Sequence, residues 1–203
     1  APRTNLLSAL CRAGAAGLIA VAARRWRPGT PAWAAMLAGV LAGVAPIPWA
    51  QGLVTEVLAL QALLTALALV LATDAARGRS WPWFALVLGL MSWNHPTGLA
   101  LAVLLAVACA VRGRPTRRTV NPAIALFLLP GLFSVAYLLL RADASIAWGD
   151  TGSLGGVWDH LSGRVYRDVI DRSPADMLAA VPETLRRTLR QAPPPALLLA
   201  PLG

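Results

Sequence analysis

The chain has 203 residues, of which 57% are hydrophobic and only 13% are charged, whereas a soluble domain has about 45–50% apolar and about 25% charged residues. This composition excludes a disordered chain and favours an integral membrane protein over an ordinary soluble domain. All 18 basic residues are arginine and outnumber the 9 acidic ones, and they cluster between apolar runs, which indicates membrane topology rather than nucleic-acid binding.

Apolar runs long enough for membrane helices follow one another along most of the chain. A spanning helix needs about 20 mainly apolar residues. The predicted spans are Asn5 to Ala23, Ala32 to Trp49, Leu53 to Ala72, two crossings within Trp81 to Val111, and Ala123 to Leu140.

The charges of the loops decide whether Trp81 to Val111 crosses once or twice. Arginine-bearing loops favour the cytoplasmic side. With two crossings, all three such loops lie on one side and hold nine arginines against one acidic residue, Asp74. The region from Arg141 to Arg190 has seven arginines and seven acidic residues and is neutral. We therefore predict an all-α, polytopic transmembrane helical bundle of about six spans, with the neutral region outside.

Three segments make up the predicted domain organisation. Residues 1–141 form the transmembrane helical bundle, 142–191 an external loop with amphipathic helices, and 192–203 the start of a further transmembrane span. In the loop, Ser153 is expected to cap a helix that runs to about Ile170 and lies on the outer membrane surface or roofs a cavity. The chain begins without Met and stops inside an apolar run, so we expect a piece of a longer protein.

Two places in the predicted spans carry polar side chains that can do chemistry. Glu56 lies about one turn into a span, where a carboxylate is costly unless it is paired or faces water; alternatively, it simply reaches the headgroups. Asn94 and His95 divide the Trp81–Val111 segment and offer donors to a phosphate or a sugar hydroxyl. Alternatively, they mark a helix break in which Asn94 caps and Pro96 starts the next helix.

A second group of candidates lies in the predicted external loop. Trp158 and Tyr166 are able to stack on a sugar ring or to sit in the interfacial aromatic belt, and Arg164 is able to clamp a phosphate. Alternatively, the pattern is that of a solvated amphipathic helix. The sequence has no metal-ligand spacing, phosphate loop or dinucleotide motif, so we expect no metal. The candidate substrate-binding residues are Glu56, Asn94, His95, Asp150, Trp158, His160, Arg164 and Tyr166.

Several short motifs in a fixed order carry a family resemblance. They are Asn5-Leu6-Leu7-Ser8-Ala9-Leu10, Gln51 through Glu56 to Leu63, Asn94-His95-Pro96-Thr97, Ala147-Trp148-Gly149-Asp150, and Trp158 to Tyr166. Together they resemble a polytopic membrane family of formerly unknown function that is related to the protein O-mannosyltransferases, in the GT-C glycosyltransferase superfamily. The chain departs from that family's usual pattern at Leu58, Gln61 and Pro96.

The resemblance implies an activity and a set of partners. The chain would be a fragment of a glycosyltransferase that transfers a sugar from a polyprenyl-phosphate-linked donor to a protein or glycan acceptor, on the outer side of a bacterial inner (plasma) membrane. The catalytic acid would lie upstream of Ala1. The lipid-linked donor and membrane lipids would be bound, with no covalent cofactor and no nucleic acid. The alternative is a non-enzymatic transporter or lipid-handling protein, which also needs polar residues at membrane depth.

Overall fold

The computed structural model describes residues 2–45, 57–143 and 151–162, together with 164, 175, 178–183 and 186. This part of the chain is helical and has no strand, in agreement with the predicted all-α class. Residues 178–183 are helical as well. The other helices are α1 Pro2–Trp26, α2 Ala32–Val44, α3 Val57–Ala75, α4 Trp81–Asn94, α5 Pro96–Gly113, α6 Arg117–Leu140 and α7 Leu154–Leu161.

Three of these helices are long and apolar enough to cross a membrane, judged by length and composition: Asn5–Trp26 within α1, all of α3 and all of α6. The helices Ala32–Val44 and Thr97–Gly113 are apolar but shorter. These findings indicate a membrane protein. The total of six crossings, the GT-C arrangement and the limits of the three predicted segments stay predictions.

Helices α1 and α2 pack closely because small residues face each other. Gly39 and Gly43 of α2 lie against Ala16 of α1, and a Cβ atom at position 39 would come 2.5 Å from the Ala16 carbonyl oxygen. Pairs of small residues four positions apart let helix backbones approach closely in membrane proteins, where lipid removes the hydrophobic drive for association. Dispersion contacts along this seam therefore hold α2 to α1.

Helix α3 occupies the centre of the first compact unit, whose described residues lie between Pro2 and Pro130, and it packs against α1, α4 and α5. Its small residues allow this close packing on several sides, and α4 supplies the large core side chains Phe84 and Met91. The core cluster consists of Leu64, Ala68, Ala72, Ala75, Trp81, Phe84, Val87, Leu88, Met91, Ala102 and Cys109.

Contacts at the helix ends fix the helix directions. Arg25 and Asp74 form an ion pair of 3.0 Å, so the C-terminal ends of α1 and α3 meet. Asn94, at the end of α4, reaches the carbonyl of Val57, at the start of α3, over 3.1 Å. Helix α4 therefore runs antiparallel to α3, and α5 returns beside it as the second arm of a hairpin, the geometry that the loop charges predict.

The three arginine-bearing loops lie at one end of the first unit, which we call the arginine end. The Arg25–Asp74 pair joins the α1–α2 loop to the α3–α4 loop. A Cβ atom at Gly113 would lie 3.2 Å from the nitrogen of Gly78, so the α5–α6 loop touches the α3–α4 loop. The opposite end carries the α4–α5 junction, residues 94–97, which we call the tip.

The second compact unit begins at Gly131, within α6, and contains α7. As predicted, Ser153 caps α7: its Oγ accepts a hydrogen bond of 3.1 Å from the N–H of Gly156. The helix ends at Leu161, and most of the predicted continuation to about Ile170, residues 163 and 165–170, lies outside the described residues. The N–H of Ser162 bonds to Trp158 O over 2.8 Å and closes the last turn of α7.

Candidate functional site

The side chain of Asn94 ties the end of α4 to the start of α3. Its Nδ2 donates to the carbonyl oxygen of Val57 over 3.1 Å and to Oε1 of Gln61 over 3.0 Å. Gln61 is buried, with 8% of its surface exposed. Because a buried amide without partners costs about 1–3 kcal/mol, this mutual bond stabilises two polar groups in an otherwise apolar bundle.

Helix α5 packs directly on this amide pair through a glycine. A Cβ atom at Gly98 would come 2.6 Å from Nε2 of Gln61 and 2.0 Å from the carbonyl oxygen of Met91. A larger residue at position 98 would push α5 away from both neighbours. Asn94, Gln61 and Gly98 thus join three helices in a compact polar cluster, which we call the amide node.

His95 connects α4 to α5 and caps the second helix. Its Nδ1 accepts a hydrogen bond of 3.3 Å from the N–H of Thr97 and lies 2.8 Å from Thr97 Oγ1. Because Nδ1 acts as an acceptor here, a neutral His95 ring carries its proton on Nε2. The half-buried imidazole therefore keeps one N–H donor that the cap does not use.

The sequence allowed two interpretations of the tip, a ligand-binding site and a helix break, and the structure tests only the second. Pro96 begins α5, as the helix-break interpretation predicts. The capping residue is His95 rather than Asn94, so that part of the interpretation is wrong. Asn94 still belongs to α4 and has turned its amide toward Gln61. Whether the tip also binds a ligand stays a prediction.

Three predicted site residues lie outside the described residues: Glu56, Asp150 and Tyr166. Glu56 directly precedes Val57, whose carbonyl accepts from Asn94. Their proposed roles stay predictions.

The remaining candidates belong to the second unit, on and just after α7. Trp158 is 67% exposed, which allows either stacking on a sugar or an interfacial position. His160 is half-buried. Arg164 donates from Nη1 to Oδ1 of Asp159 over 3.1 Å, so a phosphate bound by Arg164 would compete with that carboxylate. Trp158, His160 and Arg164 thus belong to one unit, and Asn94 and His95 belong to the other.

Gln61 is part of the amide node but was not among the substrate-binding residues predicted from the sequence. Within the apolar run from Val57 to Ala72, Gln61 and Thr65 are the polar residues, and they are four positions apart. This spacing places them on one helix face. Thr65 Oγ1 in turn lies 3.5 Å from Sδ of Met91 on α4. The spacing was therefore the available signal for a polar face on α3 that contacts α4.

The tip offers amide, imidazole and hydroxyl groups as hydrogen-bond donors and acceptors. An amide pair and an imidazole N–H suit hydrogen bonding to hydroxyl groups or to phosphate oxygens. In the part of the chain that the structure describes, no group of three or more His, Cys, Asp or Glu residues is placed to hold a metal ion. Comparison with protein-family models, with curated proteins and with solved structures finds no match to this chain.

Proposed function

We propose that this chain is part of a multi-pass membrane glycosyltransferase of the GT-C type, which transfers a sugar from a polyprenyl-phosphate donor to an acceptor at the outer leaflet. The supporting observation is the amide node and the adjacent His95 at the end of the bundle opposite the arginine loops. Polar side chains inside membrane bundles are costly and commonly mark ligand sites. The positive-inside rule assigns the arginine end to the cytoplasm, so the tip faces outward.

The proposed reaction needs a general base, a cation for the leaving phosphate and groups that position the sugar. The bond between the sugar C1 and the donor phosphate breaks, and a new bond forms between C1 and the acceptor oxygen. A carboxylate, acting as general base, takes the acceptor proton. A cation such as Arg164 stabilises the charge on the departing polyprenyl phosphate, after exchanging its bond to Asp159. His95 and Glu56 position the sugar hydroxyl groups.

The test is sugar transfer from a polyprenyl-phosphate donor by the full-length protein in membranes. His95→Asn is the informative variant, because asparagine also accepts from the helix N-terminus and preserves the cap but lacks the Nε2 donor. We expect this variant to fold normally and to lose about tenfold in turnover, the cost of one hydrogen bond to substrate. Glu56→Gln and Arg164→Ala are expected to lower turnover and donor affinity, respectively.

The matched control is Ser92→Ala, which removes a hydrogen bond of 2.7 Å to Leu88 O within α4 and touches no proposed ligand. It should leave transfer unchanged. Unchanged turnover in both His95→Asn and Glu56→Gln would remove the tip from the site. If the full-length protein moves lipid between leaflets but transfers no sugar, the lipid-handling alternative replaces the enzyme.

A further inference from the structure

Two Arg-Gly-Arg tripeptides meet at the arginine end. One is Arg77-Gly78-Arg79 after α3, and the other is Arg112-Gly113-Arg114 at the end of α5. Their glycines are in backbone contact: a Cβ atom at Gly78 would lie 3.3 Å from the Gly113 carbonyl oxygen, and one at Gly113 would lie 3.2 Å from the Gly78 nitrogen. Four arginines therefore flank one point of contact.

The backbone after α3 is held in a defined turn. The N–H of Arg79 bonds to the carbonyl of Asp74 over 2.9 Å, and the N–H of Gly78 bonds to that of Ala75 over 2.9 Å. With Gly78 at φ +77°, this is the Schellman ending, which satisfies the last carbonyls of a helix. The positions of Arg77 and Arg79 on either side of Gly78 are thus fixed by backbone bonds.

The second tripeptide keeps an arginine where glycine would be favoured. Arg114 ends α5 at φ +39°, a left-handed conformation that costs a residue with a Cβ atom about 1–2 kcal/mol. The glycine is one position earlier because space demands it there: a Cβ atom at Gly113 would come 2.2 Å from the carbonyl oxygen of Ala75. The fold therefore places Gly113 for contact and tolerates strain at Arg114.

Charge at this end is almost entirely positive. The segments 24–30, 74–80 and 112–118 hold nine arginines and one acidic residue, Asp74, and all nine arginines are exposed. Asp74 lies 3.0 Å from Arg25 and 3.9 Å from Arg77. Among the described residues, Asp74 contacts two of these nine arginines, so the surplus of positive charge includes Arg79, Arg112 and Arg114 of the two tripeptides.

Tryptophans set the depth of this cluster in a membrane. Trp26, Trp33 and Trp83 lie at the ends of α1, α2 and α4 that adjoin the arginine end, and all three are exposed. Exposed tryptophans concentrate at the level of the lipid headgroups. The arginines of the two tripeptides therefore lie at or just beyond the phosphate layer of the leaflet.

We propose that the paired Arg-Gly-Arg tripeptides bind the phosphate of an anionic phospholipid headgroup. Guanidinium groups match phosphate oxygens with two parallel hydrogen bonds, and basic clusters at helix ends on the cytoplasmic face recruit anionic lipids. This proposal rests on the membrane placement of the chain and is independent of sugar transfer.

Native mass spectrometry of the purified protein in detergent micelles tests it, with phosphatidylglycerol and phosphatidylcholine supplied at equal concentration. We expect the first phosphatidylglycerol to bind at least tenfold more tightly than phosphatidylcholine. The variant R79Q/R112Q/R114Q should bind phosphatidylglycerol at least tenfold more weakly. Each arginine near an anionic surface contributes about a fivefold gain in affinity. The charge-preserving variant R79K/R112K/R114K should lose less, because lysine keeps the charge but not the paired bonds.

The control neutralises two exposed arginines elsewhere, R141Q/R186Q, and should bind phosphatidylglycerol as the unaltered chain does. Equal binding of the two lipids, or undiminished binding by R79Q/R112Q/R114Q, would overturn the proposal. Inorganic phosphate in tenfold excess separates the two sources of the anion. Displacement of the lipid by phosphate would make this a free-phosphate site and would refute the lipid assignment.

Discussion

Asn94 and Gln61 share a hydrogen bond of 3.0 Å between their side-chain amides, across the interface of α4 and α3. The two residues are 33 positions apart in the chain. The bond closes the hairpin of α4 and α5 at its polar end, and it lies within van der Waals reach of Gly98. The polar character of the tip thus contributes to the packing of three helices.

The amide pair gives a prediction for stability. Asn94→Leu leaves the buried Gln61 amide without this donor, and we expect a loss of about 1–2 kcal/mol in the free energy of unfolding. Gln61→Leu should cost a similar amount. The double variant should lose less than the two single losses added together, because it leaves neither amide unpartnered.

Unfolding of the purified protein in mixed micelles measures these effects. Double-mutant coupling between helices in a membrane averages about 0.6 kcal/mol and reaches about 1.7 kcal/mol. Purely additive losses would show that the bond is not energetically significant.

The α1–α2 seam predicts a contrast between two glycines. Gly39→Ala places a Cβ atom 2.5 Å from the Ala16 carbonyl oxygen, so the helices must separate, at an expected cost of about 1–3 kcal/mol. Gly17→Ala is the control, since its Cβ atom would meet nothing within 4 Å. It should raise stability slightly, by up to about 1 kcal/mol, through helix propensity. Equal thermal shifts for the two variants in the same detergent would refute the close seam.

The strained end of α5 predicts a stabilising substitution. Arg114→Gly removes the left-handed strain at φ +39° and should raise the free energy of unfolding by about 1 kcal/mol. Arg114→Ala keeps a Cβ atom in the same conformation and should bring no such gain. Thermal melting of the three proteins side by side distinguishes relief of strain from mere loss of a positive charge.

The cap of α7 predicts a local effect in the second unit. Ser153→Ala removes the acceptor for the N–H of Gly156 and should destabilise this helix by about 1 kcal/mol. Faster amide hydrogen exchange at Gly156 and its neighbours is the expected result. Ser162→Ala serves as the control, because its Oγ bonds only over 3.3 Å to the carbonyl of Asp159 at the other end. Unaltered exchange in Ser153→Ala would show that the cap does not limit opening.

The bounds of a helix were predictable from the sequence where the length of an apolar run alone determines them. The apolar run predicted from Asn5 to Ala23 lies inside α1, and the predicted start of α2 at Ala32 agrees with its observed bounds. The reversal between α4 and α5 followed from the distribution of arginines. The identity of the residue that caps α5 could not be predicted from the sequence. Asn94 and His95 both have side chains that can cap a helix, and the choice depends on where α4 ends.

The polarity of the tip was predictable from the sequence, but the residues that it contacts were not. Polarity at the tip followed from Asn94 and His95, yet Gln61 was missed, because an amide within an apolar run has several candidate partners until the helices pack.

By itself, the sequence determined the membrane character of the chain, the positions of most helices and the concentration of arginines in three loops, since these depend on local composition and charge. The tertiary structure alone decided which residues meet: Asn94 with Gln61, and Gly78 with Gly113. The physical reason is that helices this uniformly apolar have little periodicity to fix their rotation. Backbone approach at glycines and rare polar bonds between distant residues set their register instead.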